Sequence, residues 1–411
     1  MKTALRNLMT EKQIAVLKSY LYDNWKYLIL SGAVRSGKTY IDNYIFLLEM
    51  KRVSKLARKS GDVNPKYILA GYSNGSIYNN VISELTNTFG IEPKFDRHGH
   101  FHIFGVEVVP AYTGSSRGVG AIRGMTAFGA YINEASLATE GVFQEIIQRC
   151  SKDGARIIAD TNPDNPNHWL KTDYIDNHDP AARIKSFHFT LDDNTFLSDD
   201  YVQALKAATP SGMFYDRSIL GLWVTADGIV YRDFDQRTMI INQEQVPDDL
   251  HIYCGVDWGF EHKGVITVWG DDDDGNIYML EEHTSQYKYI DYWVRVAKDI
   301  QKRYGYNINF WVDSARPDNV SEFQRNDINA INADKSRMAG VERVAKFMKL
   351  GKFFVVDSAI DQFTSEIYQY VWDENTGEPK KENDDVMDSM RYAIFNEHKD
   401  NDIEFLSSRY I

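Results

Sequence analysis

The segment LILSGAVRSGKTY (28–40) contains residue types whose spacing suits phosphate binding. From Gly32 to Thr39 it matches the pattern G-x-x-x-x-G-K-[ST] in full. Glycines let backbone N–H groups turn towards phosphate oxygens, a lysine reaches the β- and γ-phosphates, and a threonine hydroxyl can ligate Mg²⁺. We therefore predict a nucleotide site whose binding residues are Gly32, Arg35, Ser36, Gly37, Lys38 and Thr39.

A second candidate residue for phosphoryl transfer is Glu134, in the segment GAYINEAS. It directly follows an apolar stretch that predicts a strand, and a carboxylate there can orient and deprotonate an attacking water. The preceding residue is usually an aspartate that helps to hold Mg²⁺ through water, but here it is the neutral Asn133. An alternative role for Glu134 is to cap the next helix, because glutamate is common in a first helical turn.

Three other segments could complete such a site. Asn162, in DTNP at a strand end, could sense the γ-phosphate, although an Asn-Pro sequence also suits a plain turn. Gln13 could read the edge of an adenine, although an isolated glutamine on a helix is more often a surface residue. Phosphoryl transfer also needs a positive charge. Arg117 or Arg123 could bring it from the glycine-rich segment SSRGVGAIRGMT, or Arg35 from within the phosphate loop.

The second half of the chain contains aspartates that suit a different chemistry. Asp257 in YCGVDWGF and Asp313 in NFWVDSARP each lie near the end of an apolar strand. Asp385 and Asp388, in NDDVMDSMRYAIF, are three residues apart and would share one face of a helix. If the four converge, they could hold two divalent cations for phosphodiester hydrolysis. Separate aspartates at strand ends are the alternative.

The elements that must position these residues follow from the hydrophobic pattern. YLIL before the phosphate loop predicts a buried strand, and TYIDNYIFLLEMKRV after it predicts a helix whose N-terminus faces the anion. Strand-like and helix-like segments alternate up to about residue 240, as in an α/β domain with a largely parallel sheet. HIYCGVDWG, GVITVWG and NIYMLEEHT then predict consecutive strands. We expect one domain over 1–240, with a lid or linker near 190–240, and a second over 245–411.

The composition suits a globular intracellular protein. Cys150 and Cys254 are the only cysteines of the 411 residues, and their wide separation predicts reduced thiols. The N-terminus MKTALRNLMTEKQ lacks the apolar core of a signal peptide, and no apolar run is long enough to cross a membrane. The net charge of −13 does not exclude DNA as a partner, because residues 1–60 alone carry a charge of +8.

In their order along the chain, these motifs resemble those of the large terminase subunit of tailed bacteriophages and prophages. The resemblance spans nearly the whole chain, and the segments that carry it are SGAVRSGKT, IRGMTAFGAYINEAS, DTNPDNPNHW, LGLWVTADGIVY, GVDWGF, VDSARP and DDVMDSMRYA. It implies an α/β architecture in which an ASCE-type P-loop ATPase is followed by an RNase H-like nuclease. It also implies roles for single residues: Lys38, Thr39 and Glu134 in the ATPase core, Arg123 as an arginine finger, Asn162 in a coupling motif, and Asp257, Asp313 and Asp388 as nuclease ligands.

The resemblance implies a DNA-packaging motor in the host cytoplasm. ATP hydrolysis would move double-stranded DNA into a procapsid, and a nuclease that uses Mg²⁺ or Mn²⁺ would cut the concatemer. Its implied partners are a small terminase subunit, the portal ring of the procapsid, and further copies of the chain in a ring. Two alternatives stay open: a helicase or repair ATPase fused to a nuclease, and a binding protein with an inactive nucleotide site. The intact Lys38, Thr39 and Glu134 argue against the latter.

Overall fold

The computed structural model describes residues 7–115, 118–225, 227–358, 361–373 and 376–399, which form two compact units. The first unit contains the chain up to Gln203 and Tyr215–Thr225, and the second contains Ala204–Phe214 and the chain after Thr225. Each unit has a seven-stranded sheet with helices packed against it. The predicted α/β class is confirmed.

The sheet of the first unit is parallel except for one hairpin. Its strands are β1 (Tyr27–Gly32), β2 (Lys66–Gly71), β3 (Phe101–Ile103), β4 (Val106–Tyr112), β5 (Gly129–Ile132), β6 (Arg156–Thr161) and β7 (Ile184–Phe189). Their order is β3-β4-β2-β5-β6-β1-β7, and β3 pairs antiparallel with β4. Because β5, β6 and β1 are parallel neighbours, the segments that follow them meet at one edge of the sheet. The phosphate loop, Glu134 and Asn162 follow these strands.

Helices pack around this sheet, and the one after the phosphate loop is the longest in the unit. The helices are α1 (Glu11–Tyr22), α2 (Lys38–Ser60), α3 (Asn74–Ile77), α4 (Ser83–Asn87) and α5 (Glu140–Arg149), and a π-helical turn (Tyr78–Ile82) separates α3 from α4. Two further helices, α6 (Asp199–Ala208) and α7 (Met213–Ser218), each contain residues of both units. The apolar face of α2 includes Ile41, Ile45, Phe46, Met50 and Val53, all inaccessible to solvent. The helix predicted from the spacing of these residues is therefore confirmed.

The sheet of the second unit is mixed. Its strands are β8 (Ile240–Ile241), β9 (His251–Asp257), β10 (Gly264–Asp271), β11 (Ile277–Ser285), β12 (Asn309–Val312), β13 (Asn329–Asn332) and β14 (Phe353–Val356), in the order β13-β12-β9-β10-β11-β14-β8. β9, β10 and β11 are the predicted consecutive strands and pair antiparallel, and β12 lies parallel to β9 on its other side. Asp257 and Asp313 therefore lie at the carboxyl ends of two neighbouring parallel strands.

The last helix of the described chain packs closely on this sheet. The helices of the second unit that follow residue 226 are α8 (Gln236–Met239), α9 (Ile290–Tyr304), α10 (Pro317–Arg325), α11 (Arg337–Lys349), α12 (Asp361–Ile367) and α13 (Asp385–Glu397). A Cβ atom added to Gly255 of β9 would lie 1.9 Å from the backbone oxygen of Ser389, so only glycine allows α13 this close. The Ser389 hydroxyl also lies 2.8 Å from the Thr267 hydroxyl of β10. This contact places Asp385 and Asp388 over the sheet.

The structure assigns residues 227–240 to the second unit, whereas we expected the first domain to extend to residue 240. Aromatic residues of GIVYRDFD explain the difference. The Val230 amide donates to the Tyr370 oxygen over 2.9 Å, and the Tyr231 and Tyr370 rings stack with centroids 5.8 Å apart. Phe234 packs edge-on against Phe363. Hydrophobic pattern alone does not say which sheet such a segment covers.

None of the helices in the described part of the chain combines the length and the apolar character that crossing a bilayer requires. Cys150 and Cys254 are both buried and unpaired.

The position of residues 227–240 leads to a prediction about fragments of the second unit. A fragment that starts at residue 227 retains Val230, Tyr231, Phe234 and Met239, which are at most 8% exposed, and one that starts at 245 loses them. Burying one such side chain contributes about 1.5–3 kcal/mol. We expect the shorter fragment to be less stable by at least about 4 kcal/mol, which is about 8 °C or more in unfolding temperature.

Thermal unfolding of the two fragments measures this difference. Tyr231→Phe in the longer fragment is a matched control, because it keeps the stacked ring and the Tyr231 hydroxyl has no hydrogen-bond partner among the described residues. Equal unfolding temperatures for the two fragments would show that residues 227–244 are not part of this unit's core.

Candidate active sites

The first site is a cavity of about 490 Å³ at the edge of the first sheet where the phosphate loop lies. This volume is in the range of small-molecule sites. Its lining includes most of the residues that the sequence predicted for nucleotide chemistry, namely Arg35, Ser36, Gly37, Lys38, Thr39, Glu134 and Asn162. The structure therefore brings together side chains from the ends of β1, β5 and β6.

The phosphate loop has a backbone that glycine makes possible. Gly32 has a φ of 152°, and a Cβ atom there would lie 2.0 Å from the Phe189 oxygen of β7. Arg35 is exposed, with a φ of 60°. The Ser36 hydroxyl donates to the Ala33 oxygen over 2.7 Å and so closes the loop.

Lys38 lies inside the loop rather than in solvent. Its ammonium donates to the backbone oxygens of Gly32 and Ala33 over 2.8 and 2.6 Å and to Asn162 Oδ1 over 3.2 Å. Burial lowers the pKa of the Lys38 ammonium to about 8, although Asp160 and other nearby carboxylates oppose this shift. A cation held by neutral oxygens can transfer to phosphate oxygens, which accept hydrogen bonds more strongly.

Asp160 is a residue of this cavity that the sequence analysis missed. It is 2% exposed, and its carboxylate accepts a hydrogen bond from the Thr39 hydroxyl over 2.7 Å. It also accepts from the Asn133 amide over 2.9 and 3.1 Å and from the Glu134 backbone N–H over 2.9 Å. Asp160 is the only acid in the strand segment RIIADT, and an acid beside a strand-end motif is the signal that could have identified it.

Asn133, which stands where an aspartate usually helps to hold Mg²⁺, contacts other side chains of the protein. Its Nδ2 donates to Asp160, and its Oδ1 accepts a hydrogen bond from Asn80 over 2.8 Å. Both ends of the Asn133 amide are therefore bound by protein. Because its Nδ2 donates to both carboxylate oxygens, over 2.9 and 3.1 Å, Asn133 holds the Asp160 carboxylate in place.

Glu134 has an unusual backbone conformation, with φ 55° and ψ 51°. This left-handed region is strained for a residue with a Cβ and is often found at functional sites. Glu134 precedes a short 3₁₀ helix (Ala135–Leu137), but its side chain makes no capping hydrogen bond, so the capping alternative is not supported. Its carboxyl is half-buried, and burial together with the Asp160 charge raises the pKa of Glu134.

The remaining predicted residues of the first unit differ in placement. Gln13 is 2% exposed, so the expectation of a surface residue is wrong: its amide donates to the Gly37 oxygen over 2.9 Å and accepts from the Thr10 N–H over 2.9 Å. Gln13 thereby braces the loop. Arg123 is exposed and, within the described chain, does not belong to the cavity lining. Arg117 lies outside the described residues.

The second site is a cluster of acids at the carboxyl ends of β9 and β12, beneath the first turns of α13. Asp257 interacts electrostatically with Asp388, Asp313, Asp385 and Asp384. Burial, followed by the repulsion of these carboxylates, raises the pKa of Asp257 well above its usual value. The same causes raise the pKa of Asp384 to about 6. The convergence of the four predicted aspartates is therefore present in the fold.

His262, from the turn between β9 and β10, joins this cluster. Ligand atoms of Asp257, His262 and Asp385 all lie within 4.8 Å of one another, and His262 Nδ1 is 3.1 Å from Asp385 Oδ1. Sequence reasoning missed His262 because the histidine lies in a turn without a recognisable ligand spacing. Two carboxylates and an imidazole are a donor set that divalent transition metals and, through the carboxylates, Mg²⁺ accept.

Cationic and polar neighbours fix the other two aspartates. Asp388 accepts a hydrogen bond over 2.8 Å from Arg391, which is 2% exposed. Asp313 accepts one over 2.7 Å from Lys335. The buried carboxylate of Glu366 accepts from the Val386 N–H over 2.7 Å and thereby caps the N-terminus of α13. Sequence reasoning missed these three supporting residues.

Glu281 and Glu282 of β11 are bound elsewhere in the second unit. Glu282 accepts hydrogen bonds from the Gln362 and Phe363 backbone N–H groups at the start of α12, and Glu281 accepts one from Tyr304. Both have structural partners, so the acids of the cluster come from β9, β12 and α13.

These two sites define a P-loop ATPase unit and an RNase H-like nuclease unit. The family model described as "Terminase large subunit, T4likevirus-type, N-terminal" matches residues 29–237, and the model "Terminase RNaseH-like domain" matches residues 254–397. The chain therefore belongs to the terminase large subunit family. It is an ATPase and a nuclease that act in the packaging of phage DNA, as the resemblance of its motifs implied.

Solved structures of a large terminase from a thermophilic bacteriophage are similar to this chain. In one crystal form the identity is 25% over 94% of this chain and 98% of the other, with a TM-score of 0.81. Complexes of the same phage terminase with ADP and with ATP-gamma-S have TM-scores of 0.76 and 0.75, each with 25% identity; they cover 94% and 93% of this chain and 99% and 98% of the other. The search of curated proteins found no significant match.

The raised pKa values at the acid cluster predict how pH and metal act on stability. Asp257, Asp384 and Asp385 have raised pKa values in the folded chain, so between about pH 4 and 6 the folded chain binds protons that the unfolded chain releases. Metal-free stability should therefore fall as the pH rises through about 6. Mn²⁺ should raise the unfolding temperature more at pH 7.5 than at pH 5.5, because bound metal offsets the repulsion.

Thermal unfolding with and without Mn²⁺ at both pH values measures this effect. Asp257→Asn should keep or raise metal-free stability and reduce the response to Mn²⁺. The exposed Asp291, which is 70% exposed and pairs with Arg295 on α9, provides the control Asp291→Asn. A metal response that is independent of pH and unchanged in Asp257→Asn would show that the cluster does not bind metal.

Proposed function

We propose that the ATPase unit uses Mg²⁺, with Glu134 orienting and deprotonating the attacking water and Lys38 stabilising the transferred phosphoryl group. The observation that carries this assignment is that Lys38, Thr39, Glu134 and Asn162 line one cavity. The raised pKa of Glu134 favours proton transfer from water. The similar terminase of the thermophilic phage binds ADP and ATP-gamma-S in this fold, which supports an adenine nucleotide as the ligand here.

Asn162 is the proposed coupling residue because it shares a hydrogen bond with Lys38. When the Lys38 ammonium moves to the γ-phosphate, Asn162 loses this partner, so the state of the nucleotide changes the contacts of the segment after β6. Arg123 stays the candidate finger, and its exposed position leaves it free to act once the glycine-rich segment moves. Arg35, within the cavity lining, is the second candidate for this charge.

For the nuclease unit we propose that Asp257, His262 and Asp385 hold one divalent cation, with Asp313 and Asp388 beside it. Mg²⁺ or Mn²⁺ bound there would activate water and stabilise charge on a phosphodiester. The residues fit such an ion because Asp257 is surrounded by other carboxylates, whose repulsion a bound cation would offset. Arg391 and Lys335 orient Asp388 and Asp313 for this role.

We further propose that the chain acts in the host cytoplasm on double-stranded DNA, with a small terminase subunit, the procapsid portal and a ring of several copies as its partners. Membership of the terminase large subunit family supports this proposal. It also favours duplex translocation over the helicase or repair function that the motifs left open.

Replacing Glu134 with glutamine tests the ATPase assignment. Glu134→Gln keeps the size of the side chain but cannot accept the proton of the attacking water. We expect the turnover of ATP to fall by about 10²–10⁴-fold, while the Kd for ATP changes by less than about threefold. Steady-state hydrolysis and equilibrium binding, both in the presence of duplex DNA, measure the two effects.

Glu140→Gln is the matched control, because Glu140 is exposed in the first turn of α5. Normal turnover by Glu134→Gln would show that another group activates the water. Strand separation by the unsubstituted protein would instead favour the helicase alternative.

Replacing Asp257 with asparagine tests the nuclease assignment. Asp257→Asn removes one ligand and one repelling charge, so we expect loss of DNA cleavage in Mg²⁺ or Mn²⁺ and nearly unchanged ATP hydrolysis. Asp257 is preferable to Asp388, whose loss would leave the buried Arg391 without its partner. Plasmid nicking and ATP turnover are measured on the same preparation, with Asp291→Asn as the control. Cleavage by Asp257→Asn would contradict the metal assignment.

A further inference from the structure

We propose that Asp160, at the end of β6, is the carboxylate that supports the nucleotide-bound divalent cation, in place of the residue that precedes Glu134. Position 133 on the neighbouring β5 segment would normally carry this charge, but here it is an asparagine that positions Asp160. The proposal rests on the proposed function, because it assumes that the cavity binds ATP together with Mg²⁺.

The contact between Thr39 and Asp160 is the first observation. Thr39 is the residue of the phosphate loop whose hydroxyl can ligate Mg²⁺. That hydroxyl donates to Asp160 Oδ2 over 2.7 Å. Asp160 is therefore the anionic group already in contact with the expected ligand oxygen, and it belongs to the cavity lining, whereas Asn133 does not.

The orientation of the Asn133 amide is the second observation. Asn133 Oδ1 accepts from Asn80, and the backbone oxygen of Asn80 accepts from the Asn43 amide over 2.8 Å. The ionised carboxylate of Asp160 can only accept hydrogen bonds, so the Nδ2 end of the Asn133 amide must face it and Oδ1 is left to accept from Asn80. The donor end faces the carboxylate, as is expected when the negative charge is at position 160 and not at 133. Two buried carboxylates in this contact would repel each other.

A concentration of acids around one lysine is the third observation. Asp42, on α2, is inaccessible to solvent, and neither of its carboxylate oxygens has a hydrogen-bond partner within the described chain. It interacts electrostatically with Asp160 and with Lys38. Burial raises the pKa of Asp42 well above its usual value, which favours its neutral form. Lys38 also interacts electrostatically with Glu134, so Asp160 and Glu134 are the carboxylates that chiefly share its ammonium. If Lys38 turns to the phosphates of ATP, a divalent cation would restore the balance of charge.

Exchanging the two side chains tests the proposal. Asp160→Asn removes the charge and places two amides in contact, and the double variant Asn133→Asp with Asp160→Asn restores an amide–carboxylate pair with the charge on β5. The measurement is the Kd of a fluorescent, non-hydrolysable ATP analogue, in EDTA and over a Mg²⁺ titration. Thermal unfolding establishes that each variant is folded.

We expect Asp160→Asn to bind the analogue normally in EDTA and to need at least about tenfold more Mg²⁺ for the tighter complex. The double variant should recover most of this loss and require within about threefold of the original Mg²⁺ concentration. Asn133→Ala, which keeps the charge of Asp160, should shift the Mg²⁺ requirement less than Asp160→Asn does. If Asp160→Asn does not fold, the Mg²⁺ requirements of Asn133→Ala and of the double variant are compared with that of the unsubstituted protein. The proposal then stands only if both variants meet the expectations given above.

An unchanged Mg²⁺ requirement in Asp160→Asn would overturn the role of Asp160 while leaving the nucleotide site intact. A folded double variant that behaves no better than folded Asp160→Asn would also overturn the proposal. Failure of the proposed function has a different signature: the unsubstituted protein would bind the analogue neither in EDTA nor in Mg²⁺.

Discussion

Both sites depend on one constraint, which is that carboxylates brought together at strand ends must have their charge offset. A buried carboxylate without hydrogen bonds or a counter-charge is costly. In the ATPase unit, Asp160 meets this constraint with donors from Thr39, Asn133 and Glu134. In the nuclease unit, protein cations satisfy Asp313 and Asp388, and Asp257 has the strongly raised pKa. The surrounding elements are arranged to provide these partners.

The topology of each sheet explains how distant segments provide them. Parallel neighbours place the ends of β1, β5 and β6 together, so the phosphate loop, Glu134 and Asn162 meet although they are far apart in sequence. In the second unit, β9 and β12 do the same for Asp257 and Asp313, and the glycine at position 255 allows α13 to add Asp385 and Asp388. Glu366 then fixes the start of α13 by accepting hydrogen bonds from two of its backbone N–H groups.

The sequence predicted those parts of the sites that can be recognised within one short segment of the chain. The phosphate loop, Glu134 and the four aspartates of the nuclease each lie beside a recognisable strand, turn or helix pattern, and the predicted strands and helices around them are confirmed. Asp160, His262 and Lys335 were missed because their importance arises from which strand or turn lies opposite them. The packing of residues 227–240 on the second unit has the same origin, since Tyr231 stacks on Tyr370 from a distant segment.

The different ways of offsetting charge give the two sites different physical characters. Asp160 accepts hydrogen bonds from Thr39 on one segment and from Asn133 and Glu134 on another, so the fold sets its geometry before any cation binds. Asp257 faces four other carboxylates and has no comparable set of donors within the described chain, so its charged form is unfavourable until a cation arrives. Preorganisation of this kind suits an ATPase that must turn over repeatedly with little rearrangement. Without metal, the raised pKa values keep the acid cluster of the nuclease partly protonated. The full set of charged carboxylates is therefore present only when a cation is bound, so the nuclease site is completed by its metal.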